Sequence, residues 1–230
     1  MRVGPLLEAP ATWSTVAGFA FAPSELACVV VTGPLPAESS ARAFLNRHEA
    51  AGGAVLALGE GFAACCAWGL LPGRLEPTDL GGELPRRCHV RVEGRPTPFT
   101  AGLPAGRVLD LSWGSRLSYR HTDLYGLEKA GQVIFRFCDA WAGLGDACNP
   151  VGAPAHVAGV CNARGNVVGL ATALPDLEEA APREGGADVT TCFASSFAGR
   201  LFASLALWAA HTNPTRSALA SPRRRKPVAS

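Results

Sequence analysis

Cys65 and Cys66 are neighbouring thiols that follow a Gly59-Glu60-Gly61 turn by six and seven residues. A thiolate is a strong nucleophile for acyl transfer, provided that its surroundings keep it ionised. The turn stands where a short apolar run, Val55–Leu58, gives way to a helix-compatible segment, Phe62–Trp68, which Gly69 and Pro72 close. Strand, tight glycine turn and helix form the geometry of a nucleophile elbow, which lifts one side chain onto a helix N-terminus. The same three parts also serve as ordinary β–α packing in an open sheet. Both thiols are displaced from the elbow by roughly 9–10 Å at 1.5 Å per helical residue. Neither reaches the helix N-terminus, and a buried thiol there ionises poorly. The elbow's own position is Gly59, which carries no nucleophile.

The elements around the turn read as a parallel crossover. Leu26–Val31 is a β-branched run that ends at Thr32-Gly33-Pro34. Ser39 or Ser40 caps a helix with Ala41, Phe44, Leu45 and His48 on its apolar face, and Gly52-Gly53 ends it before Val55. Strand, helix, strand at this spacing predicts a right-handed βαβ unit, with His48 packed rather than catalytic. Beyond the elbow, Cys88–Val92 alternates, Gly94 turns the chain, and Pro96–Thr100 follows as the next strand. Arg107–Trp113 and Gln132–Phe137 are further strands, and Asn162–Gly165 has the composition of a hairpin turn. Glu178–Gly186 is a solvated loop. Ser195 or Ser196 caps a last helix with Phe197, Leu201, Leu205 and Trp208 on one stripe.

Composition narrows the function classes. With 230 residues and 48% hydrophobic content, the chain can bury one sizeable core, and a net charge of +2 does not argue for direct nucleic-acid binding. The eight cysteines contain no C-x-x-C pair and no metal-like histidine spacing, so reduced thiols and no metal or other cofactor are expected. The N-terminus lacks the basic and apolar regions of a secretory signal, and Phe197–Ala210 is short and carries Arg200, so an intracellular protein with no membrane span is expected. Arg223-Arg224-Arg225-Lys226 reads as a solvated end, with a nuclear-localisation signal as the alternative.

Val55, Leu56, Gly61, Phe62 and Gly69-Leu70-Leu71-Pro72-Gly73 resemble the elbow of a named family. It is the glutaminase subunit of phosphoribosylformylglycinamidine synthase, a class I glutamine amidotransferase, whose elbow runs Val-Leu-Gly-Ile-Cys-Asn-Gly-Phe-Gln. The resemblance continues through Gln132–Phe137, Asn149-Pro150, His156–Asn162 and Gly165–Leu170, and spans about residues 26 to 177. It implies a three-layer α/β, flavodoxin-like domain with a mostly parallel central sheet. The family fold begins with a strand, a helix and a strand before Leu26, for which 25 residues are too few, so an N-terminally incomplete domain from a longer protein is expected. The implied organisation is an irregular segment over 1–25, the amidotransferase-like domain over 26–212 and a basic disordered tail over 213–230.

The resemblance also marks what is altered. Gly59 takes the place of the family's nucleophilic cysteine, and Glu60 that of its asparagine. Trp113 falls where a His-Gly-Glu-Gly motif begins, and Leu174-Pro175-Asp176 where His-Pro-Glu is usual. The strand-end Pro-Gly-Gly, which supplies oxyanion-binding N–H groups, becomes Gly33-Pro34, and proline has no N–H to donate. Loss of such members together removes nearly all rate, because they act as a unit. A degenerate domain follows, in which Glu60 caps the helix and Trp113 partly fills the cleft.

Leu58-Gly59-Glu60, Gly114-Ser115, Ala158-Gly159 and a closing alanine-rich helix with Leu207-Trp208 resemble the C-terminal domain of gammaherpesvirus tegument proteins related to this synthase. That resemblance implies a non-catalytic interaction module in the virion tegument and the host nucleus or cytoplasm. Its partners would be host nuclear proteins or the rest of a synthetase-like chain. The alternative is a glutaminase component that supplies ammonia in purine synthesis.

Overall fold

The computed structural model describes residues 3–6, 28–33, 35, 40–78, 87–172 and 197–212. Its centre is an eight-stranded sheet in the order β1-β2-β3-β10-β9-β8-β5-β6, beside which β4 and β7 form a two-stranded ribbon. The strands are β1 (Val3–Leu6), β2 (Cys28–Val31), β3 (Ala54–Leu58), β4 (Arg74–Pro77), β5 (Arg87–Val92), β6 (Val108–Ser112), β7 (Leu117–Arg120), β8 (Val133–Cys138), β9 (Val157–Cys161) and β10 (Val167–Leu170). The helices are α1 (Ser40–Ala50), α2 (Glu60–Ala67), α3 (Leu124–Lys129) and α4 (Phe197–Thr212).

The apolar runs behave as their composition requires. Every residue of β2, β3, β9 and β10 is buried, so both faces of the sheet are covered there. Cys28–Val31 pairs in parallel with Ala54–Ala57, which is the expected βαβ neighbourhood. β1 and β2 are also parallel, as are β10 and β3, whereas β9, β8, β5 and β6 continue the sheet antiparallel. The sheet is therefore mixed, and its parallel part ends at β10. Asn162 accounts for the reversal, because its Oδ1 accepts from Gly165 N at 2.8 Å and Val167 N at 3.2 Å and so closes the β9–β10 hairpin.

Three expectations need correction. The 1–25 segment is not wholly irregular, since Val3–Leu6 pairs along the edge of β2. Gly4 and Pro5 hide this strand from any propensity reading, yet an edge position tolerates proline. Pro96–Thr100 is a turn rather than a strand: Thr100 N donates to Thr97 O at 3.1 Å, and the Thr97 and Thr100 hydroxyls share a 2.9 Å bond. Arg74–Pro77 and Leu117–Arg120, in which no strand was foreseen, pair antiparallel across 40 residues of intervening chain. Ser39, Ser195, Ser196 and the 213–230 tail lie outside the described residues.

The helices seat where their stripes predict. Ala41, Leu45 and His48 are the buried residues of α1, and His48 Nε2 donates to Ala54 O at 3.1 Å. In α4, Leu201 and Leu205 are buried in the core and Trp208 packs at its margin. Ser204 Oγ accepts from Gly102 N at 3.3 Å, which fastens α4 to the turn after β5.

Candidate functional site

Strand polarity gathers the candidate residues at one end of the sheet. β3 ends there at Leu58, and β10, parallel to it, ends there at Leu170. Leu170 pairs with Gly159 and Arg136 with Val157, so the start of β9 and the end of β8 reach the same end. Cys138 then pairs with His89, and Arg87 with Ser112, which brings the end of β6 and Trp113 there too. The Gly33 turn, the Gly59 elbow and the Trp113 segment thus share one end of the sheet.

The elbow keeps its backbone shape. Gly59 has φ 52° and ψ −117°, a left-handed conformation that L side chains avoid, and Glu60 opens α2 immediately after it. Gly59 N donates to Leu170 O at 3.0 Å, and Gly59 O accepts from Phe62 N at 3.1 Å and Ala63 N at 3.2 Å. Two further glycines let the turn sit this low. A Cβ on Gly61 would drive into Val31 O, and one on Gly169 would drive into the Phe62 ring. The end of β2 therefore lies directly against the elbow, next to Gly33 at φ 74°. Pro34, Leu174 and Asp176 lie outside the described residues.

The side chains at this end do not assemble a nucleophile. Glu60 is exposed in the first turn of α2, where the helix dipole favours a carboxylate by roughly 0.3–1 kcal/mol. Cys65 is fully buried and its thiol is pushed up to about 12 by desolvation. Cys66 is likewise pushed up to about 12, first by burial and then by Cys65, and its Sγ donates to Pro72 O at 3.6 Å. At neutral pH both remain thiols.

Trp113 is 4% exposed and meets Phe137 edge-on, with centroids 4.8 Å apart and planes at 80°. Phe137 belongs to β8, and β9 and β10 lie between β8 and the elbow strand. The indole is thus held by the antiparallel half of the sheet, while the aromatic neighbour of the elbow helix is Tyr119. Trp113 Nε1 is buried without a hydrogen-bond partner among the described residues. No cluster of three or more His, Cys, Asp or Glu suited to a metal occurs among the described residues, and no described helix is long and apolar enough to cross a membrane.

Gly169 and Tyr119 are site residues that sequence reasoning missed. A glycine inside the apolar run Val167–Leu170 was the available signal, since it marks a close approach.

Known proteins share this arrangement. A phosphoribosylformylglycinamidine synthase subunit PurQ from Symbiobacterium thermophilum is 32% identical over 170 residues, which cover 72% of this chain and 71% of that protein. The chain belongs to the PurQ family. Other PurQ subunits include that of Nitrobacter hamburgensis, 36% identical over 149 residues, and that of Thermomicrobium roseum, 40% identical over 149 residues. The match to the Nitrobacter PurQ spans 62% of its length and 63% of this chain. Among solved structures, PurLQS from Thermotoga maritima superposes with a TM-score of 0.58 at 20% identity, over 79% of each chain, and shares the fold. No protein-family model matches the chain. Against the PurQ elbow, what stands out here is that its shape is kept and its thiol is absent.

Proposed function

We propose that this is a catalytically inactive glutamine amidotransferase-like domain that works by binding other proteins. The observation that carries the reading is Gly59, a residue without a side chain, in the φ 52°, ψ −117° position of an otherwise intact elbow. The adjacent thiols do not compensate, since burial pushes Cys65 and Cys66 up to about 12. On this reading the fold is retained as a binding platform in a synthase-like protein similar to gammaherpesvirus tegument proteins. Its place is the virion tegument and the host nucleus or cytoplasm, and its partners are host nuclear proteins or the rest of a synthetase-like chain.

The test is ammonia release from glutamine by the purified chain, alone and mixed with a synthetase subunit. No turnover above the uncatalysed rate is expected. Steady turnover that is abolished by Cys65→Ala or Cys66→Ala would overturn the reading. The kept elbow geometry favours one second reading, a glutaminase component that supplies ammonia for purine synthesis, and the same assay decides between them.

A further inference from the structure

Trp68 and Trp113 are buried, and Trp208 packs against the core. Trp141 is 88% exposed, and Leu144, three residues on, is 44% exposed. Burying a tryptophan is strongly favourable, so a chain that leaves one in water on a well-held loop gives up stability at that point.

The loop after β8 is well held. Asp139 Oδ1 accepts from Trp141 N at 2.8 Å and Gly143 N at 2.7 Å, and Asp139 N donates to Gly143 O at 2.9 Å. Between them Ala142 adopts φ 70°, which is strained for a residue with a Cβ. Arg91 Nη1 donates to Ala142 O at 2.8 Å from the neighbouring strand, and Cys148 Sγ donates to Gly145 O at 2.9 Å. The indole is thus carried on a fixed support rather than on a flexible end. Because the loop follows the end of β8, it also stands at the same end of the sheet as Gly59.

Charge and size select the occupant. Residues 139–148 include Asp139 and Asp146 and no Lys, Arg or His, so a phosphate-rich surface, whether anionic lipid or nucleic acid, is disfavoured. A second copy is disfavoured by area. Two such tips meeting would bury a few hundred Å², estimated from about 150–250 Å² per aromatic side chain, against about 1,200 Å² for a stable pair. One tryptophan that enters a preformed pocket is instead a common centre of a protein interface.

We propose that the Asp139–Cys148 loop docks a different protein, one that offers an apolar pocket to Trp141 and Leu144 and a cation facing Asp146. This deepens the proposed function and rests on its reading of the chain as an interaction domain.

To test it, Trp141 is replaced by the photoreactive residue p-benzoylphenylalanine in the full chain, within the cells that naturally contain it. After irradiation the adduct is identified by mass spectrometry, and the crosslinked protein is purified and titrated against the unmodified chain. One discrete protein adduct is expected. Its affinity should fall at least about tenfold for Trp141→Ala and also fall for Asp146→Lys, while changing less than about twofold for Tyr125→Ala, an exposed aromatic on α3. The absence of an adduct, an adduct with a second copy, with lipid or with nucleic acid, or an unchanged affinity for Trp141→Ala would each overturn the docking site. Glutamine turnover is measured on the same preparations. Turnover would sink the inactive reading without touching the docking result, and loss of docking without turnover would leave the inactive reading in place.

Discussion

Phe62 and Tyr119 stack with ring centroids 5.7 Å apart and planes 12° from parallel, which ties the elbow helix to the β4–β7 ribbon. Tyr119 Oη also donates to Pro72 O at 3.0 Å, so one residue of β7 holds both the start of α2 and the segment beyond it. Both rings are fully buried. Phe62→Ala should cost about 3–5 kcal/mol, and Tyr119→Phe, which removes only the hydroxyl, about 0.5–1.5 kcal/mol. Denaturant unfolding followed by tryptophan fluorescence checks the pair, and equal losses would show that the ring stack is not what matters.

The elbow's conformation sets a cost for restoring its nucleophile. Gly59→Cys places a side chain at φ 52°, ψ −117°, and should lower stability by about 1–3 kcal/mol while leaving the fold in place. It should gain no glutaminase activity, because no base is assembled beside it among the described residues. A glutamine-analogue alkylating agent should label residue 59 no faster than a free thiol reacts. Rapid stoichiometric labelling would show a pocket still shaped for glutamine.

The glycines under the elbow act through close approach rather than through flexibility. Gly61→Ala pushes a methyl group into the backbone of β2 at Val31, and Gly169→Ala pushes one into Phe62. Each should cost about 1–3 kcal/mol, or more where the backbone must shift. Gly94→Ala, with nothing within 4 Å of the added carbon but a φ of 33°, is a comparison in which only backbone strain acts. Thermal unfolding of the three variants separates the two effects.

Burial of the elbow-helix thiols predicts an alkaline dependence of stability. Cys65 titrates at about 12 in the folded chain against 9.0 for an ordinary thiol, so folding favours the protonated form. That stability is fully present below pH 9 and is lost as the pH rises from 9 towards 12, because the unfolded chain then releases a proton that the folded chain retains. A Cys65→Ala variant should show a shallower fall over that window. At pH 8 iodoacetamide should label Cys65 only after unfolding, and fast labelling of the native protein would contradict its burial.

The fold was legible in the sequence where one signal sufficed. β2 and β3 are continuous apolar runs, and their parallel pairing follows from the spacing across α1. The β9–β10 reversal is written in Asn162 and Gly165, whose φ of 81° suits glycine. Other elements depend on distant partners. Arg74–Pro77 has little strand character alone and becomes one by pairing with Leu117–Arg120. Thr97-Pro98-Phe99-Thr100 alternates like a strand, but its threonines bond to each other and curl the chain. At the candidate site, Gly59 and Glu60 were placed from the elbow pattern. The seat of Phe62 between Gly169 and Tyr119 was not, because it requires knowing that β10 lies beside β3.

That placement of β10 has a consequence for how the chain is made. β3 is flanked on one side by β2, its near neighbour in sequence, and on the other by β10, with Val55 opposite Val167. During synthesis, β2 and β3 leave the ribosome long before β10, so one edge of the most apolar strand stays open while the intervening chain is translated. Closure over so long a loop is slow, because its entropy is lost before the contacts are gained. A nascent chain stalled before Val157 should therefore engage a chaperone, and one stalled with Leu170 clear of the exit tunnel should release it. Ribosome profiling of chaperone-bound chains reads that transition directly, and its absence would mean that β3 is covered from elsewhere until β10 arrives.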